Sequence, residues 1–163
     1  MSDDEFCYEP IGVIRSPFDS IEGMPIQPPA ARDVVGTIEI DEEYGSGLAD
    51  LEEFSHCIML YHFHRAEGEA PLAPTPFLDE HPRGLFSTRA PRRPNPIGIS
   101  VVEIEGIDGN TLTIKGVDVL DGTPLLDLKP YVPDFDVRED ARAGWVDASG
   151  RSPDDVNADD RFR

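Results

Sequence analysis

Between His81 and Val102 the chain carries Arg83, Arg89, Arg92 and Arg93 and neither Asp nor Glu, although acids recur every few residues elsewhere. Guanidinium groups without acidic sequence neighbours suit a phosphate, a carboxylate or an RNA backbone, because the planar fork donates to two oxygens at once. The bland alternative is pairing with acids brought in by the fold, in exposed ion pairs that contribute little. Pro91, Pro94 and Pro96 restrict the backbone around Arg92, Arg93 and Asn95, so these polar groups are held before a ligand arrives. Preorganisation of that kind suits a binding site, and it equally suits a rigid crossover with its arginines in solvent.

A second segment runs Asp118-Val119-Leu120-Asp121-Gly122-Thr123-Pro124. Its turn presents carboxylates, a hydroxyl and bare backbone groups, enough to hold an ammonium or a ribose, or simply to reverse the chain. His56, His62 and His64 share parity along one predicted strand, and His-x-His is usable metal geometry. A fourth ligand is unassigned, and satisfied polar or stacking roles account for most such histidines, so no metal is expected. The glycine-rich dinucleotide fingerprint, the Walker lysine, the paired CxxC and the GxSxG elbow are all missing. Rossmann cofactor binding, ATP hydrolysis, zinc ribbons and serine hydrolases therefore lack their signatures.

The elements that must position these residues read mostly as strands. Glu9 to Ile14 leads with apolar residues, Val34 to Ile40 alternates with Ile38 and Ile40 on one face, and His56 to Phe63 is a continuous apolar and aromatic run. Ile97 to Glu105 returns as Thr111 to Val119 across a turn rich in residues that accept positive φ, with Leu112 and Ile114 pointing inward. Ile97, Ile99 and Val101 share one face while Val102 and Ile104 take the other, which predicts a bulge there or burial on both faces. Glu42 to Phe54 reads as one short helix. Gly68 to Pro82 holds too many prolines for a strand or helix interior and reads as loop. The pattern predicts an all-β chain, a small antiparallel β-barrel or sandwich, with short helices and a polar C-terminal tail. From Asp134 onward nine acids and five arginines mark that tail, and its last fifteen or so residues are expected to be mobile. Trp145, the single tryptophan, reads as an anchor docking part of the tail, or as a platform on which a base stacks.

Composition bounds the rest. A chain of 163 residues defaults to one domain able to bury roughly two thirds of its unfolded surface. No apolar run approaches the eighteen or so residues of a membrane span. The start, MSDDEFCYEP, has no basic and apolar leader pattern, so a cytoplasmic location with Cys7 and Cys57 reduced is expected. The net charge is −19, and only Lys115 and Lys129 are lysines. That balance fits a halophilic, salt-adapted protein, since molar salt screens self-repulsion beyond about 3 Å.

Segments in order over most of the chain carry a resemblance. They are Ile11 to Pro17, Gln27-Pro28, Leu51 through His56, Phe63-His64, Phe86 to Arg89, Arg93 to Gly98, Asp118 to Pro124 and Asp127 to Tyr131. On these residues the chain, from about Pro10 to Asp136, resembles the TrmO family (TsaA-like, YaeB-like) of tRNA adenosine N6-methyltransferases. The resemblance implies a small antiparallel barrel over about residues 1–140 with a tail over 141–163, a homodimer, S-adenosyl-L-methionine as cofactor and tRNA as partner. The longer bacterial members carry a second C-terminal domain, which is not expected here, and Ala90-Pro91-Arg92 departs from the family's usual version.

The implied chemistry is methyl transfer to N6 of a threonylcarbamoyl-modified adenosine beside the anticodon. Its implied cofactor site maps onto Ile26, Gln27, Pro28, His64, Arg65, Arg89, the backbone near Ile99, Asp118, Asp121, Gly122 and Thr123. Holding donor and acceptor in line and excluding water is the main demand of such a reaction. An anticodon-loop base is already partly unpaired, so little flipping energy is needed. Arg92, Arg93 and Asn95 are the candidate RNA contacts, with Arg92 or Arg93 expected on the threonylcarbamoyl carboxylate. Asp118, Asp121 and His64 are the candidates for the base that takes the N6 proton. The alternatives are another nucleoside or small molecule as methyl acceptor, or a nonenzymatic cofactor-binding regulatory module.

Overall fold

The computed structural model describes residues 5–26, 28–152, 154 and 156–159. Apolar residues at alternate positions have no single flat layer to face, and the chain solves this by closing six strands on themselves. The strands are β1 (Gly12–Arg15), β2 (Val35–Ile40), β3 (His56–His62), β4 (Ile97–Asp108), β5 (Thr111–Lys115) and β6 (Thr123–Pro130). They pair antiparallel throughout in the closed order β1-β2-β5-β4-β3-β6, which leaves no free sheet edge. Ile14, Ile38, Cys57, Met59, Val102, Leu112, Ile114 and Leu125 fill the interior, each at most 1% exposed.

Antiparallel closure decides which loops meet. The β1–β2, β3–β4 and β5–β6 connections all emerge at one end of the barrel, whereas the 41–55 connection and the tight β4–β5 hairpin lie at the other. Residues separated by up to a hundred positions are thereby gathered above a single opening. The β3–β4 connection, residues 63–96, is the long proline-rich loop; its only regular element is a 3-10 turn at Leu85–Ser87.

Two expectations are corrected. The expected helix over Glu42 to Phe54 is two 3-10 turns, Glu42–Leu48 and Leu51–Glu53, separated by Asp50 with φ of 67°. Gly45 and Gly47 weaken helical continuity there, and the side chain of Asn110 crowds Gly45 so closely that a Cβ would not fit. In β4 the ladder with β3 runs without a shift through Val101 and Val102, and the irregularity falls instead between Ile104 and Gly106 opposite β5. Gly98, Ser100 and Val102 face the interior, so Ile97 and Ile99 lie on the outside of the barrel, 41% and 44% exposed. Apolar residues with strand parity were thus on the face opposite to the core.

Beyond β6 come two short helices, α1 (Pro133–Asp136) and α2 (Trp145–Ser149). The tail leaves at the hairpin end and returns to the loop end, where Asn157 bridges Pro25. There Gly23 N–H donates to the Ala158 carbonyl at 2.8 Å and Ala158 N–H to that of Met24 at 2.7 Å. Among the described residues no helix is long and apolar enough to cross a membrane.

Candidate active site

At the loop end the barrel opens into a cavity of about 570 Å³. Four stretches build it: Ile21 and Met24 to Ile26 from the β1–β2 connection; Tyr61 and Phe63 to Ala66 at the end of β3; Pro76 to Leu78 and Phe86 to Pro91 from the long loop; and Asp118 to Leu120 with Thr123. The tail supplies a fifth wall with Trp145, Val146 and Ala158. Most of the lining is apolar, and the charged and titratable groups are few: Asp118, Arg89, His64, Arg65 and, at the base, Tyr61. An apolar cavity of this size with a few placed polar groups has the make-up of a small-molecule or cofactor site.

The tail wall is fastened by specific contacts. Trp145 Nε1 donates to the Ser87 carbonyl at 2.8 Å, and the Arg83 guanidinium stands 5.9 Å from the indole centroid. Arg83 is itself held by Asp79, with Nε to Oδ2 at 2.5 Å, and this contact, with His81, keeps the Asp79 carboxyl well below the usual carboxylate range. Arg151 pairs with Glu80 at 2.9 Å. Trp145 is therefore an anchor of the tail and a wall of the cavity together.

Asp118 is 8% exposed, at the start of the β5–β6 connection. Burial raises its pKa from 3.8 to about 7, against the opposing pull of a hydrogen bond from Ser100, of its own N–H and of the Arg89 charge. Ser100 Oγ donates to Asp118 Oδ1 at 2.7 Å, and Tyr61 Oη lies 2.9 Å from Ser100 Oγ. Tyr61 is itself pushed above the ordinary phenol range, by burial first and then by the Asp118 charge. Neither Tyr61 nor Ser100 stood among the candidate residues. The signal was present at Ser100, a hydroxyl at an inward position of β4 between Gly98 and Val102, and it becomes readable once the inward parity of that strand is known.

The remaining candidates fall into three groups. Ile26, His64, Arg65, Arg89, Asp118 and Thr123 line the cavity. Burial, then the neighbouring Arg65 and His62, lower the His64 pKa and favour the neutral imidazole; Arg65 Nη1 donates to the Asp19 carbonyl at 2.9 Å. Asp121, Gly122 and Ile99 stand off it. Asp121 accepts from Ser16 N at 3.1 Å and lies 3.9 Å from Arg15 Nη1, stapling the turn to the end of β1. Gly122, with φ of 79°, donates to the Ile14 carbonyl, and Ile99 faces outward. Gln27 lies outside the described residues, and Pro28 opens a 3-10 turn, Pro28–Ala31.

Arg92, Arg93 and Asn95 lie beside the cavity rather than in its wall. Arg93 Nη1 donates to the carbonyls of Thr88 and Ala90 at 2.9 and 3.1 Å, and its guanidinium stands 6.0 Å from the Phe86 centroid. It clamps the loop that carries Arg89. Arg92 differs: its Nε is buried and has no hydrogen-bond partner among the described residues. His56 accepts or donates a hydrogen bond at Nδ1 with Ser55 Oγ and packs edge-on against Tyr131; among the described residues no three His, Cys, Asp or Glu side chains cluster as metal ligands.

A family model, the tRNA-methyltransferase O N-terminal domain, matches residues 13–137. The chain belongs to the TrmO family. A probable S-adenosyl-L-methionine-binding protein of Pyrococcus abyssi is 53% identical over 156 residues, 96% of this chain and 84% of that protein. The tRNA (adenine(37)-N6)-methyltransferase of Escherichia coli is 37% identical over 153 residues, covering 88% of this chain and 65% of its own length. The crystal structure of TrmO from Pseudomonas aeruginosa superposes with a TM-score of 0.76 at 40% identity, over 88% of this chain and 64% of that one. The chain thus spans just under two thirds of the length of these last two proteins. The family model ends at residue 137, so Trp145, Val146 and Ala158, which close the cavity, lie beyond the stretch it matches.

Proposed function

We propose that the chain is an S-adenosyl-L-methionine-dependent methyltransferase that modifies N6 of threonylcarbamoyl-adenosine next to the tRNA anticodon. The observation that carries this reading is the polar floor of the cavity: Asp118, poised near neutrality, beside Arg89 in a largely apolar chamber of about 570 Å³. The donor set fits the cofactor, since an amphiphile with an apolar base and a zwitterionic amino acid needs apolar walls and a few opposed charges. Ile26, His64, Arg65, Arg89 and Thr123 are the residues that would hold it. When bound, the cofactor supplies an electrophilic methyl on a sulfonium. The chain itself orients, excludes water and handles a proton, and a base with a pKa near 7 is well matched to that last task.

Arg92 is the better of the two arginines for the threonylcarbamoyl carboxylate, because its Nε has no partner among the described residues while Arg93 already donates to two carbonyls. The outward Ile97 and Ile99 support a homodimer through that face, and the −19 charge with two lysines supports a salt-adapted cytoplasmic protein. In high-potassium buffer with labelled cofactor and tRNA lacking the methyl group, digestion is expected to release methylated threonylcarbamoyl-adenosine. Cofactor binding by calorimetry without that product would instead leave a cofactor-binding module or a different acceptor.

A further inference from the structure

We infer that Tyr61 and Ser100 form a one-way hydrogen-bond relay that fixes the Asp118 carboxyl, in the wall of the cavity, so that Oδ2, the oxygen Ser100 does not engage, is the atom that takes the proton from the methyl acceptor. The inference rests on the methyltransferase reading and adds two positioning residues and the atom used.

The direction of the relay follows from what each hydroxyl can reach. Tyr61 is 4% exposed and its ring meets Phe63 edge-on at 5.5 Å. On its other side it lies against Gly98, where an added Cβ would collide with the phenol ring and with Phe63. Among the described residues the Tyr61 hydroxyl has one partner, Ser100 Oγ at 2.9 Å. Were the chain to run the other way, from a protonated Asp118 through Ser100 to Tyr61, the phenolic proton would be left buried and without an acceptor, a costly state. The phenol therefore donates to Ser100, Ser100 donates its own proton to Asp118 Oδ1 at 2.7 Å, and Oδ1 is committed as an acceptor. Any proton that Asp118 carries sits on Oδ2. Gly98 is what allows a tyrosine at this depth, and the inward parity of β4 is what brings Ser100 under it.

The groups that face this carboxyl are few. Ser100 from β4, its own backbone N–H and Arg89 from the long loop act on it directly, Tyr61 from β3 acts through Ser100, and His64 and Arg65 at the end of β3 line the same cavity. Asp121, on the same connection, is engaged with Ser16 and Arg15. Arg89 and Ser100 favour the carboxylate while burial opposes it, so the group changes state near neutrality instead of being locked in either form.

The proton step balances. The acceptor N–H bond breaks with its electron pair left on nitrogen, and the proton joins Oδ2 to give a neutral carboxylic acid. That nitrogen pair bonds the methyl, whose former bonding pair stays on sulfur, so one positive and one negative charge vanish together.

The decisive experiment follows the Asp118 side-chain carboxyl by carbon NMR against pH in the cofactor-free protein, beside single-turnover tRNA methylation over the same range. Wild type is expected to titrate near pH 7, with a rate that rises tenfold per pH unit below that point and levels above it. Ser100→Ala should move both curves to higher pH by about 1 to 2 units, the loss of one charge-assisted hydrogen bond. Tyr61→Phe, which keeps the ring and its packing, should move both the same way by less, and it carries the test should Ser100→Ala not fold. A carboxyl titration unmoved in these variants overturns the relay. A titration that moves while the rate profile stays put removes Asp118 as the proton acceptor. If wild type binds cofactor yet methylates no tRNA, the functional reading fails separately, and the NMR titration still decides the relay.

Discussion

Asp118→Asn should change how stability depends on pH, because a buried carboxyl whose pKa is raised on folding favours the folded state only while protonated. The folded value is about 7 against 3.8 for a free carboxyl. Below pH 3.8 the group is protonated in both states and imposes no penalty. Between the two values the folded state holds a proton that the unfolded chain has released, so stability falls by about 1.4 kcal/mol per pH unit and then levels above pH 7. From pH 5 to pH 9 wild type should therefore lose about 3 kcal/mol relative to Asp118→Asn, in which Oδ1 can still accept from Ser100. With m on the order of 2 kcal/mol/M in urea, the two midpoints should separate by roughly 1.5 M across that range. The assay is equilibrium unfolding at constant molar potassium chloride, with the difference between variants taken at each pH so that the other carboxylates cancel. Parallel stability curves would show that the carboxyl titrates near its free value, and the reasoning from desolvation would be refuted.

Arg93→Ala should lower stability by about 1 to 3 kcal/mol, since it frees two loop carbonyls and the Phe86 contact, whereas Arg92→Ala should leave the melting temperature within a degree or two and weaken tRNA methylation; calorimetric melts beside methylation rates separate the two. Gly98→Ala should be destabilised by about 1 to 3 kcal/mol or fail to fold, because its Cβ would meet the Tyr61 and Phe63 rings, as urea unfolding would report. Alkylation of the native protein should label exposed Cys7 and spare Cys57, which is fully buried and whose thiol burial pushes up to about 12; mass spectrometry after a brief pulse with iodoacetamide reads the ratio.

The strand content was legible because half-buried strands alternate. Thr111 to Lys115 shows this cleanly, with Leu112 and Ile114 inward as their spacing requires. The same rule grouped the residues of Ile97 to Glu105 by face and left open which group meets the core. Period-two alternation says which residues share a face but not which face meets the core, and here glycine and serine took the inner positions. The local demands at Gly45 and Asp50 broke the helix expected over Glu42 to Phe54 into tight turns.

By itself the sequence determined the strand periods, the rigid arginine-bearing loop, the acidic turn at Asp118 and the absence of familiar nucleotide and metal motifs, since each of these depends on residue types within a few positions of one another. The tertiary structure alone decided that Asp118, Ser100 and Tyr61 meet beside Arg89, that Asp121 staples its turn to the end of β1, and that Trp145 and Ala158 return to close the cavity. Those outcomes depend on the antiparallel closure of the barrel, which sets three distant loops at one end, and on burial, which turns an ordinary carboxyl into one that changes charge near neutrality.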